Sequence, residues 1–326
     1  MPTTPLTIYC NASFPESATA ALARGVGPHR LVVSPLARAS NLAPGEPDPL
    51  LADADVAFGQ PDPQQVVDTP RVKWVHLTTA GYTRYDTAAV RAALAARGGR
   101  LTNSSSVYSE PCAEHAFAFM LALARQLPAM AAEQVRDRAW RPAFHRANCR
   151  LLAGQSAILY GYGAIARRLA ELLGPFGMDL VGVRRTVKGD ETIRTVPTED
   201  ADAHLAAADH VFDVLPGSPA TDGYFSAARF ARMKAGATFY NIGRGTTVDQ
   251  PALIAALEGG RLAGAYLDVT DPEPLPPDHP LWAAPNCWVT PHTAGGHADE
   301  FDRLAEHFLA NLRRHDRGEP LADRVM

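Results

Sequence analysis

Three charged or titratable residues stand in three short motifs towards the C-terminal end of this 326-residue sequence. Arg244 lies in NIGRGTTVD, Glu273 in AYLDVTDPEPLPPDHPLW and His292 in WVTPHTAGG. A planar guanidinium can clamp a carboxylate through two parallel hydrogen bonds. An imidazole can give or take a proton near neutral pH, and a neighbouring carboxylate favours its protonated form. Together these residue types suit proton transfer on a substrate that carries a carboxylate.

Each of the three residues follows an apolar run that predicts a β-strand. Arg244 lies just past one predicted strand, Glu273 a few residues past the next, and His292 at the end of a third. In open α/β sheets, ligands bind beyond the carboxyl ends of the strands. We therefore expect the three side chains at a ligand-binding edge of a sheet.

The stretch LYGYGAIA at residues 159–166 indicates a dinucleotide-binding turn. Its spacing G-x-G-x-x-A follows an apolar run and precedes a helical pattern. Gly161 would allow the tight turn, Gly163 would let the backbone approach a pyrophosphate, and Ala166 would allow close contact between helix and strand. The N-terminus of the helix would offer N–H groups to the phosphates. The alternative is a glycine-rich turn without a ligand.

The next predicted strand, DLVGVR, ends in residues that favour one dinucleotide. An NAD site usually has an acidic residue about 20 positions beyond the turn, bonded to the adenosine ribose. Here Arg184, Arg185 and Thr186 stand at that place. Two arginines can hold a 2′-phosphate through charge-assisted hydrogen bonds. The sequence therefore favours NADP(H), with NAD(H) possible if both arginines point to solvent.

Composition restricts the class of protein. Hydrophobic residues make up 46% of the chain and charged residues 20%, and the net charge is −4. These values are typical of a soluble globular protein and give no electrostatic reason to expect nucleic acid or an anionic membrane as a partner. No stretch reaches the ~18 apolar residues of a transmembrane helix, and the N-terminus does not resemble a secretion signal. The four cysteines are far apart, so we expect reduced thiols in a cytoplasmic protein and no metal site.

Two series of alternating strands and helices must position these residues. The first hundred residues contain a proline-rich loop at 41–49 and two predicted helices, ESATAALARG and TAAVRAALAARGG. The strands predicted there are LTIYCNA, RLVVS, DVAFG, KWVHLTT and GRLTNSS. From residue 154 a second series has helices at AIARRLAELLGPFG and QPALIAALEGG. Its predicted strands are SAILYG, DLVGVR, HVFDVLP, ATFYNIG, AGAYLDV and CWVTPH.

Three further segments complete the organisation. Residues 110–127 predict a helix with a proline near its start, apolar nearly all round and therefore buried. Residues 128–150 are polar and predict an arm, or a helix with a loop. Residues 298–315 predict an amphipathic helix that must pack on another element. Its apolar face consists of Phe301, Leu304, Phe308, Leu309 and Leu312.

The sequence resembles the D-isomer-specific 2-hydroxyacid dehydrogenase family over essentially its whole length. The resemblance rests on G-x-G-x-x-A at 161–166, NIGRG at 241–245, LDVTDPEP at 267–274 and TPH at 290–292, in this order. The ordered set is far more specific than any one of these motifs.

The resemblance implies roles for the residues in these motifs. His292 would be the acid/base that protonates a carbonyl oxygen as hydride arrives, with Glu273 as its partner. Arg244 would bind and polarise a 2-oxo acid, and Asp268 would contact the nicotinamide carboxamide. The substrate site would also contain the loop TTAGY, in which the backbone N–H groups of Ala80 and Gly81 would hold the substrate carboxylate.

The resemblance also implies a set of cofactor contacts. Val107 would lie by the nicotinamide, and LPGSPAT at 215–221 resembles the segment that runs past the adenosine phosphate. The full implied set is Val107, Gly161, Gly163, Ala164, Ile165, Arg184, Arg185, Thr186, Leu215, Pro216, Ser218, Thr221, Ile242, Gly243, Asp268 and His292. The chain departs from the family where Gly217 and Ser218 replace the usual Leu-Thr after proline. It also departs at Thr270 and Asp271, where an aromatic residue is common.

The fold implied by the resemblance has two doubly wound α/β domains, with a Rossmann-type nucleotide domain inserted into a flavodoxin-like substrate domain. We place the substrate domain at residues 1–103, the nucleotide domain at 104–293 and a returning C-terminal helix at 294–326. The family is usually dimeric through the nucleotide domain, which makes 128–150 a candidate contact for a homodimer.

The resulting hypothesis is an NADPH-preferring reductase of small 2-oxo acids such as glyoxylate or hydroxypyruvate. One alternative is an NAD-linked D-2-hydroxyacid dehydrogenase running in the oxidative direction. Formate dehydrogenase is disfavoured because that branch has glutamine in place of Glu273. A non-catalytic redox sensor, similar to the transcriptional corepressors that share this fold, would keep the Arg/Glu/His set, but the chain has no basic DNA-binding segment.

Other residues of chemical interest have no companions in the sequence. We interpret His115, His145 and His297 as structural. Trp282 and Tyr82 could line a substrate pocket, or could pack in the core or at an interface.

Overall fold

Contacts along the chain group its residues into two domains. The computed structural model describes residues 4–38 and 45–326. The first domain consists of residues 1–108 and 296–326, and the second consists of residues 109–295. The chain thus leaves the first domain, forms the second and returns. Both crossings lie a few residues beyond the predicted boundaries at 103 and 293.

A parallel sheet of five strands forms the centre of the first domain. These strands are β1 (Thr7–Ala12), β2 (Arg30–Arg38), β3 (Val56–Gly59), β4 (Trp74–Leu77) and β5 (Arg100–Thr102). They lie in the order β2-β1-β3-β4-β5, which is the flavodoxin-like order. The helices that follow the strands are α1 (Glu16–Gly25), α2 (Pro63–Asp68) and α3 (Ala88–Ala96). Every predicted strand and both predicted helices of this region are present.

Helix α2 has only six residues and was not predicted from the sequence. Its start nevertheless carries a readable signal, since Asp62 caps the helix by accepting a hydrogen bond from Gln65 N and proline occupies the first helical position. Part of the predicted loop at 41–49, residues 41–44, lies outside the described residues. Pro49 begins a short 3-10 turn.

A parallel sheet of seven strands forms the centre of the second domain. These strands are β6 (Ser156–Tyr160), β7 (Asp179–Arg184), β8 (Arg194–Pro197), β9 (His210–Asp213), β10 (Ala237–Asn241), β11 (Leu262–Leu267) and β12 (Cys287–Val289). Their order, β12-β11-β10-β9-β6-β7-β8, is the Rossmann order with one strand added. All six predicted strands form. The edge strand β8 was missed because its four residues, RTVP, show no apolar run.

The second domain contains seven helices with described bounds. They are α4 (Ser105–Ala124), α5 (Leu127–Arg136), α6 (Pro142–Asn148), α7 (Ala164–Leu173), α8 (Ala201–Leu205), α9 (Ala227–Arg232) and α10 (Gln250–Glu258). All of them except α5 and α6, which form the arm described below, contribute residues that pack against the sheet. Two apolar clusters of the second domain fill the space between sheet and helices. The central strands β9 and β10 are accordingly buried almost throughout, as parallel strands covered on both faces should be.

The long helix α4 differs from its prediction in two respects. It begins at Ser105, so Pro111 lies well inside the helix rather than in its first turn. Ala113, Ala116 and Met120 pack against the sheet, but Glu114 and Ala118 are exposed. The expectation of burial all round is therefore wrong for the single chain, because only one face of α4 meets the sheet.

The arm at 128–150 folds as the two helices α5 and α6. Large apolar side chains stand exposed on and beside it, with Val135 at 87% and Trp140 at 92% exposure. Others are Leu127, Phe144 and Leu151.

The last helix, α11 (Glu300–Asp316), packs within the first domain. Leu304, Phe308 and Leu312 of the predicted apolar face are buried. Phe308 stacks on Phe58 of β3 at a centroid distance of 4.2 Å. Gly25 at the end of α1 leaves the space that Leu309 fills.

No helix among the described residues is long and apolar enough to cross a membrane. The four cysteines are free thiols.

Candidate active site

The three predicted chemical residues meet at the carboxyl edge of the second sheet. The ends of β10, β11 and β12 lie side by side, with Asn241 in register with Leu267 and Leu267 in register with Val289. Residues that follow these strands therefore leave the sheet at the same level. Arg244 follows β10, Glu273 follows β11 and His292 follows β12.

His292 and Glu273 form a hydrogen-bonded pair. His292 Nδ1 lies 2.8 Å from Glu273 Oε2, and Thr270 N donates to Glu273 Oε1 at 3.0 Å. Partial burial alone would raise the pKa of Glu273, but these hydrogen bonds and the charges of His292 and Arg244 hold it below its usual range. An ionised carboxylate only accepts, so Nδ1 carries the hydrogen and Nε2 is left to exchange a proton with a ligand.

Asp268 fixes the turn that carries His292. Its buried carboxylate accepts hydrogen bonds from Thr290 Oγ1 at 2.6 Å and from the backbone N–H groups of Thr293 and Ala294 at 2.9 Å. Its carbonyl oxygen accepts from His292 N at 2.8 Å. His292 itself has a φ of +52°, a left-handed conformation that a non-glycine residue adopts at an energetic cost. The surrounding hydrogen bonds offset that cost.

Arg244 lies in a tightly packed loop. Its carbonyl oxygen lies 2.9 Å from Asn241 Nδ2 and 2.6 Å from Thr247 Oγ1. Burial lowers the pKa of the guanidinium and the nearby Glu273 charge opposes this, so the side chain stays cationic. A Cβ atom on Gly245 would lie 2.0 Å from the backbone of Thr270, which shows how closely this loop approaches the Glu273 loop.

The turn at 161–166 has the geometry that a dinucleotide requires. Gly161 has a φ of +86°, and a Cβ atom there would lie 2.6 Å from Val214 O. Gly163 precedes α7, with nothing within 3.8 Å of the place where its Cβ would stand. Ala166 is fully buried. Ala164 and Ile165 begin α7, whose first N–H groups could donate hydrogen bonds to a phosphate.

The predicted arginine pair is unequal. Arg184 Nη1 donates to Glu191 Oε1 at 2.7 Å, and its side chain is 18% exposed, whereas Arg185 and Thr186 are exposed. Glu191 also accepts from Lys188 N and from a second backbone N–H, and these bonds together with Arg184 lower its pKa to about 2. Glu191 was not predicted as a site residue because it lies in the loop seven positions beyond Arg184, the last residue of β7.

The other predicted cofactor residues lie at the same edge, after β9 and β10. A Cβ on Gly243 would come within 2.6 Å of Leu215 O, so the backbone after β10 packs directly against the backbone after β9. Thr221 Oγ1 reaches Pro216 O at 2.6 Å and Ser218 Oγ at 2.9 Å, which closes the turn between them. Ile242 continues β10 and is buried.

Three predicted ligand residues belong to the first domain. Ala80 O accepts from Asn103 Nδ2 at 2.6 Å, Gly81 O accepts from Thr79 Oγ1 at 2.7 Å, and both follow β4. Val107 lies in α4. Their contacts with substrate and nicotinamide stay predictions.

The isolated histidine and aromatic side chains lie in varied surroundings, and their structural interpretation stays a prediction. His115 lies by Tyr266 and Phe119, and His145 bonds Glu133 at 2.8 Å. Trp282 is 52% exposed and donates to Pro276 O. His297 Nε2 is buried with no hydrogen-bond partner among the described residues, and Tyr82 packs beside the apolar core of the first domain.

Comparison with known proteins gives consistent matches. A family model described as D-isomer specific 2-hydroxyacid dehydrogenase, NAD binding domain, matches residues 117–294. Human glyoxylate reductase/hydroxypyruvate reductase is 35% identical over 230 residues, which cover 69% of each protein. Glyoxylate/hydroxypyruvate reductase B of Citrobacter koseri is 35% identical over 250 residues, which cover 74% of each.

A solved structure matches across both domains. It is the crystal structure of a D-isomer specific 2-hydroxyacid dehydrogenase from Xanthobacter autotrophicus Py2 in complex with NADPH and MES. The likeness has a TM-score of 0.79 at 29% identity and covers 99% of this chain and 98% of that one.

Proposed function

This chain belongs to the D-isomer-specific 2-hydroxyacid dehydrogenase family, and on that premise we propose that it is an NADPH-preferring reductase of a small 2-oxo acid of the glyoxylate or hydroxypyruvate type. The observation that carries the proposal is the 2.8 Å pair of His292 and Glu273 beside the Arg244 loop. The pair supplies a proton donor, and Arg244 supplies a clamp for a carboxylate. Both lie at the carboxyl edge of the nucleotide-binding sheet.

The chain's own residues account for the polar part of this reaction. Arg244 binds the carboxylate of the 2-oxo acid and polarises its carbonyl group. His292 Nε2 delivers a proton to the carbonyl oxygen, and Glu273 holds the ring and stabilises its protonated form. The nicotinamide dinucleotide, when bound, supplies the hydride. We further propose that Ala80 and Gly81 bind the substrate carboxylate and that Val107 and Asp268 lie by the nicotinamide.

The preference for NADP(H) rests on the end of β7. Arg185 and Thr186 are exposed there, with no carboxylate at the strand end itself. The matched structure from Xanthobacter autotrophicus was solved with NADPH. The nearby Glu191 is occupied by Arg184 and by two backbone N–H groups, so it is engaged in the loop rather than presented to a ribose. NAD(H) binds more weakly on this account.

The proposal includes a cytoplasmic homodimer formed through the second domain. The exposed apolar side chains of the arm support it, as does the half-exposed outer face of α4. A cleft of about 770 Å³ lies between α5 and α6 and is lined mainly by apolar surface, which a second copy of the chain would cover.

Oxidation of reduced nicotinamide tests the proposed function directly. The purified protein is mixed with NADPH or NADH and with glyoxylate, hydroxypyruvate, pyruvate or phenylpyruvate, and the loss of nicotinamide absorbance is followed. We expect faster oxidation of NADPH than of NADH, with glyoxylate or hydroxypyruvate as the best substrate. Tight cofactor binding with no oxidation on any of these acids would contradict the proposal and favour a redox sensor.

A further inference from the structure

Asp213 is a buried carboxyl group that the proposed reaction does not use. It is the last residue of β9 and lies in register between Tyr160 of β6 and Asn241 of β10. The dinucleotide turn follows Tyr160, and the Arg244 loop follows Asn241. Asp213 therefore stands between the two segments that form the ligand edge, and its exposure is 0%.

Among the described residues, the Asp213 carboxyl makes two polar contacts. Leu215 N donates to Oδ1 at 3.0 Å, and Thr247 Oγ1 lies 2.5 Å from Oδ2. The same Thr247 oxygen lies 2.6 Å from the carbonyl oxygen of Arg244. Thr247 thus makes short contacts with a carboxyl oxygen and with a carbonyl oxygen at once.

The number of hydrogens available decides the state of the carboxyl group. The Thr247 hydroxyl carries a single hydrogen, and a carbonyl oxygen or an ionised carboxylate can only accept. If Asp213 were ionised, one of the two short contacts would bring two acceptors together without a hydrogen, in a buried place. If Asp213 is a carboxylic acid, its hydrogen goes to Thr247 Oγ1 and the Thr247 hydrogen goes to the Arg244 carbonyl oxygen. Every oxygen is then satisfied.

The surroundings of Asp213 favour the neutral form. Burial raises its pKa to about 7, although hydrogen bonding with Thr247 and with the N–H of Leu215 opposes this rise. The titratable groups that interact with it are the phenols of Tyr160 in β6 and Tyr224 before α9. Burial raises the pKa of both phenols, so neither is charged. The turn after β10 places the neutral hydroxyl of Thr247 against the Asp213 carboxyl group.

We propose that Asp213 is held as a carboxylic acid and is a positioning residue for Arg244. Its O–H donates to Thr247, whose hydroxyl donates to the Arg244 carbonyl oxygen. Together with the hydrogen bonds from Asn241 Nδ2 and Thr247 N to the same oxygen, this relay fixes the loop that presents the guanidinium. Ionisation of Asp213 removes one hydrogen from the relay and loosens that loop. The binding consequence rests on the proposed function, whereas the protonation state does not.

Infrared spectroscopy of the free protein tests the protonation state without an activity assay. The comparison is with Asp213→Asn, in which the amide oxygen can accept from Leu215 N while the NH2 group donates to Thr247. We expect a buried carboxylic-acid C=O band in the wild type that fades as the pH rises through about 7. The band should be missing from D213N. A wild type without the band, or a D213N protein that keeps it, would overturn the proposal.

The pH dependence of substrate binding tests the positioning role. D213N donates to Thr247 at every pH, so the ratio of the wild-type KM for the 2-oxo acid to that of D213N should grow with pH. We expect growth of roughly 2- to 10-fold across the Asp213 transition, the effect of one hydrogen bond, with the kcat ratio unchanged. Using the ratio cancels any pH dependence that the wild type and D213N have in common. A ratio that is constant with pH would refute the positioning role.

Variants of Thr247 test the route of the relay. Thr247→Ser keeps the hydroxyl and should retain the wild-type pH dependence of KM. Thr247→Val removes the hydroxyl and should raise KM at every pH while abolishing its dependence on Asp213. A T247V protein with the wild-type pH dependence would exclude the relay. If no 2-oxo acid is reduced at all, the proposed function fails, and the infrared result alone then decides the protonation state.

Discussion

At His292, two different carboxylates fix the backbone and the ring. Asp268 holds the turn through its carbonyl oxygen and its carboxylate, and Glu273 holds Nδ1. The left-handed φ of His292 is maintained by that scaffold rather than by local preference. The direction of Nε2 therefore depends on residues from the ends of two strands, β11 and β12.

The sequence predicts the residues that follow strands better than the residues that support them. Arg244, Glu273 and His292 each come shortly after an apolar run, and the edge of a parallel sheet brings such positions together. Asp213 also ends a strand, but its partner Thr247 is 34 positions away, and no local pattern pairs them. Glu191 escapes prediction for the same reason, since it reaches Arg184 only when the loop between them folds.

Charge at the end of β7 yields a prediction about the cofactor. Replacing Arg184 and Arg185 together with alanine should raise KM for NADPH by roughly 10- to 100-fold, the effect of losing charged hydrogen bonds, and leave KM for NADH within a few-fold. Arg185→Ala alone should account for most of the loss, because Arg184 is already paired with Glu191. Steady-state kinetics with both cofactors give the comparison. Equal losses for NADPH and NADH would show that the pair does not bind the 2′-phosphate.

At the scale of elements, glycines let the loops of the site lie against one another. Gly243 packs against the backbone of Leu215, and Gly245 packs against the backbone of Thr270. Gly217, where the family usually has leucine, would bring a Cβ within 3.2 Å of Arg244 Cγ, so its glycine leaves space for the guanidinium stem. The loops after β9, β10 and β11 thus pack as one layer above the sheet edge.

This close packing predicts a large effect of one added methyl group. Gly245→Ala should separate the Arg244 loop from the Glu273 loop, because its Cβ would lie 2.0 Å from the Thr270 backbone. We expect a loss of about 1–3 kcal/mol in the free energy of unfolding and a fall in kcat/KM. The matched control is Gly174→Ala, where the backbone is helical and nothing lies within 4 Å.

Thermal unfolding and initial rates measure both variants. G245A with the stability and kcat/KM of G174A would show that the loops are not in contact.

Strands and helices were predictable where apolar periodicity is strong, and less so where it is weak. The four-residue edge strand β8 and the short helices α2, α8 and α9 offer too few apolar residues to form a pattern. The α4 sequence predicts burial correctly for Ala113 and Met120 but not for Ala118. Hydrophobicity predicts that a face will be covered, and it does not say whether the same chain covers it.

At the scale of the whole molecule, the exposed outer face of α4 is followed directly in the sequence by the exposed arm. Val135, Trp140 and Leu151 have exposures of 87%, 92% and 72% in the single chain. Exposed apolar residues scattered singly are common, but a concentration of them on one segment marks an interaction surface. A symmetric dimer buries the same surface from each chain.

If the chain forms this dimer, a charged residue introduced on the arm should lower the molar mass of the particle in solution without unfolding the chain. Val135→Glu should shift the protein from dimer to monomer in light scattering, because Val135 is exposed in the single chain and would be buried in the proposed dimer. Val33→Glu in β2 of the first domain, half exposed, is the control and should stay dimeric. A monomeric wild type would contradict the dimer.

The central claim is that His292 is the proton donor in reduction of a 2-oxo acid, and one variant tests it most directly. His292→Asn can still hydrogen-bond Glu273 but cannot deliver a proton, whereas His279→Asn replaces a helix cap with another good cap. The measurement is kcat/KM for the 2-oxo acid beside NADPH affinity by fluorescence. We predict that H292N loses about 10²- to 10⁴-fold in kcat/KM with NADPH affinity within a few-fold, while H279N keeps both. Normal turnover by H292N would contradict the account.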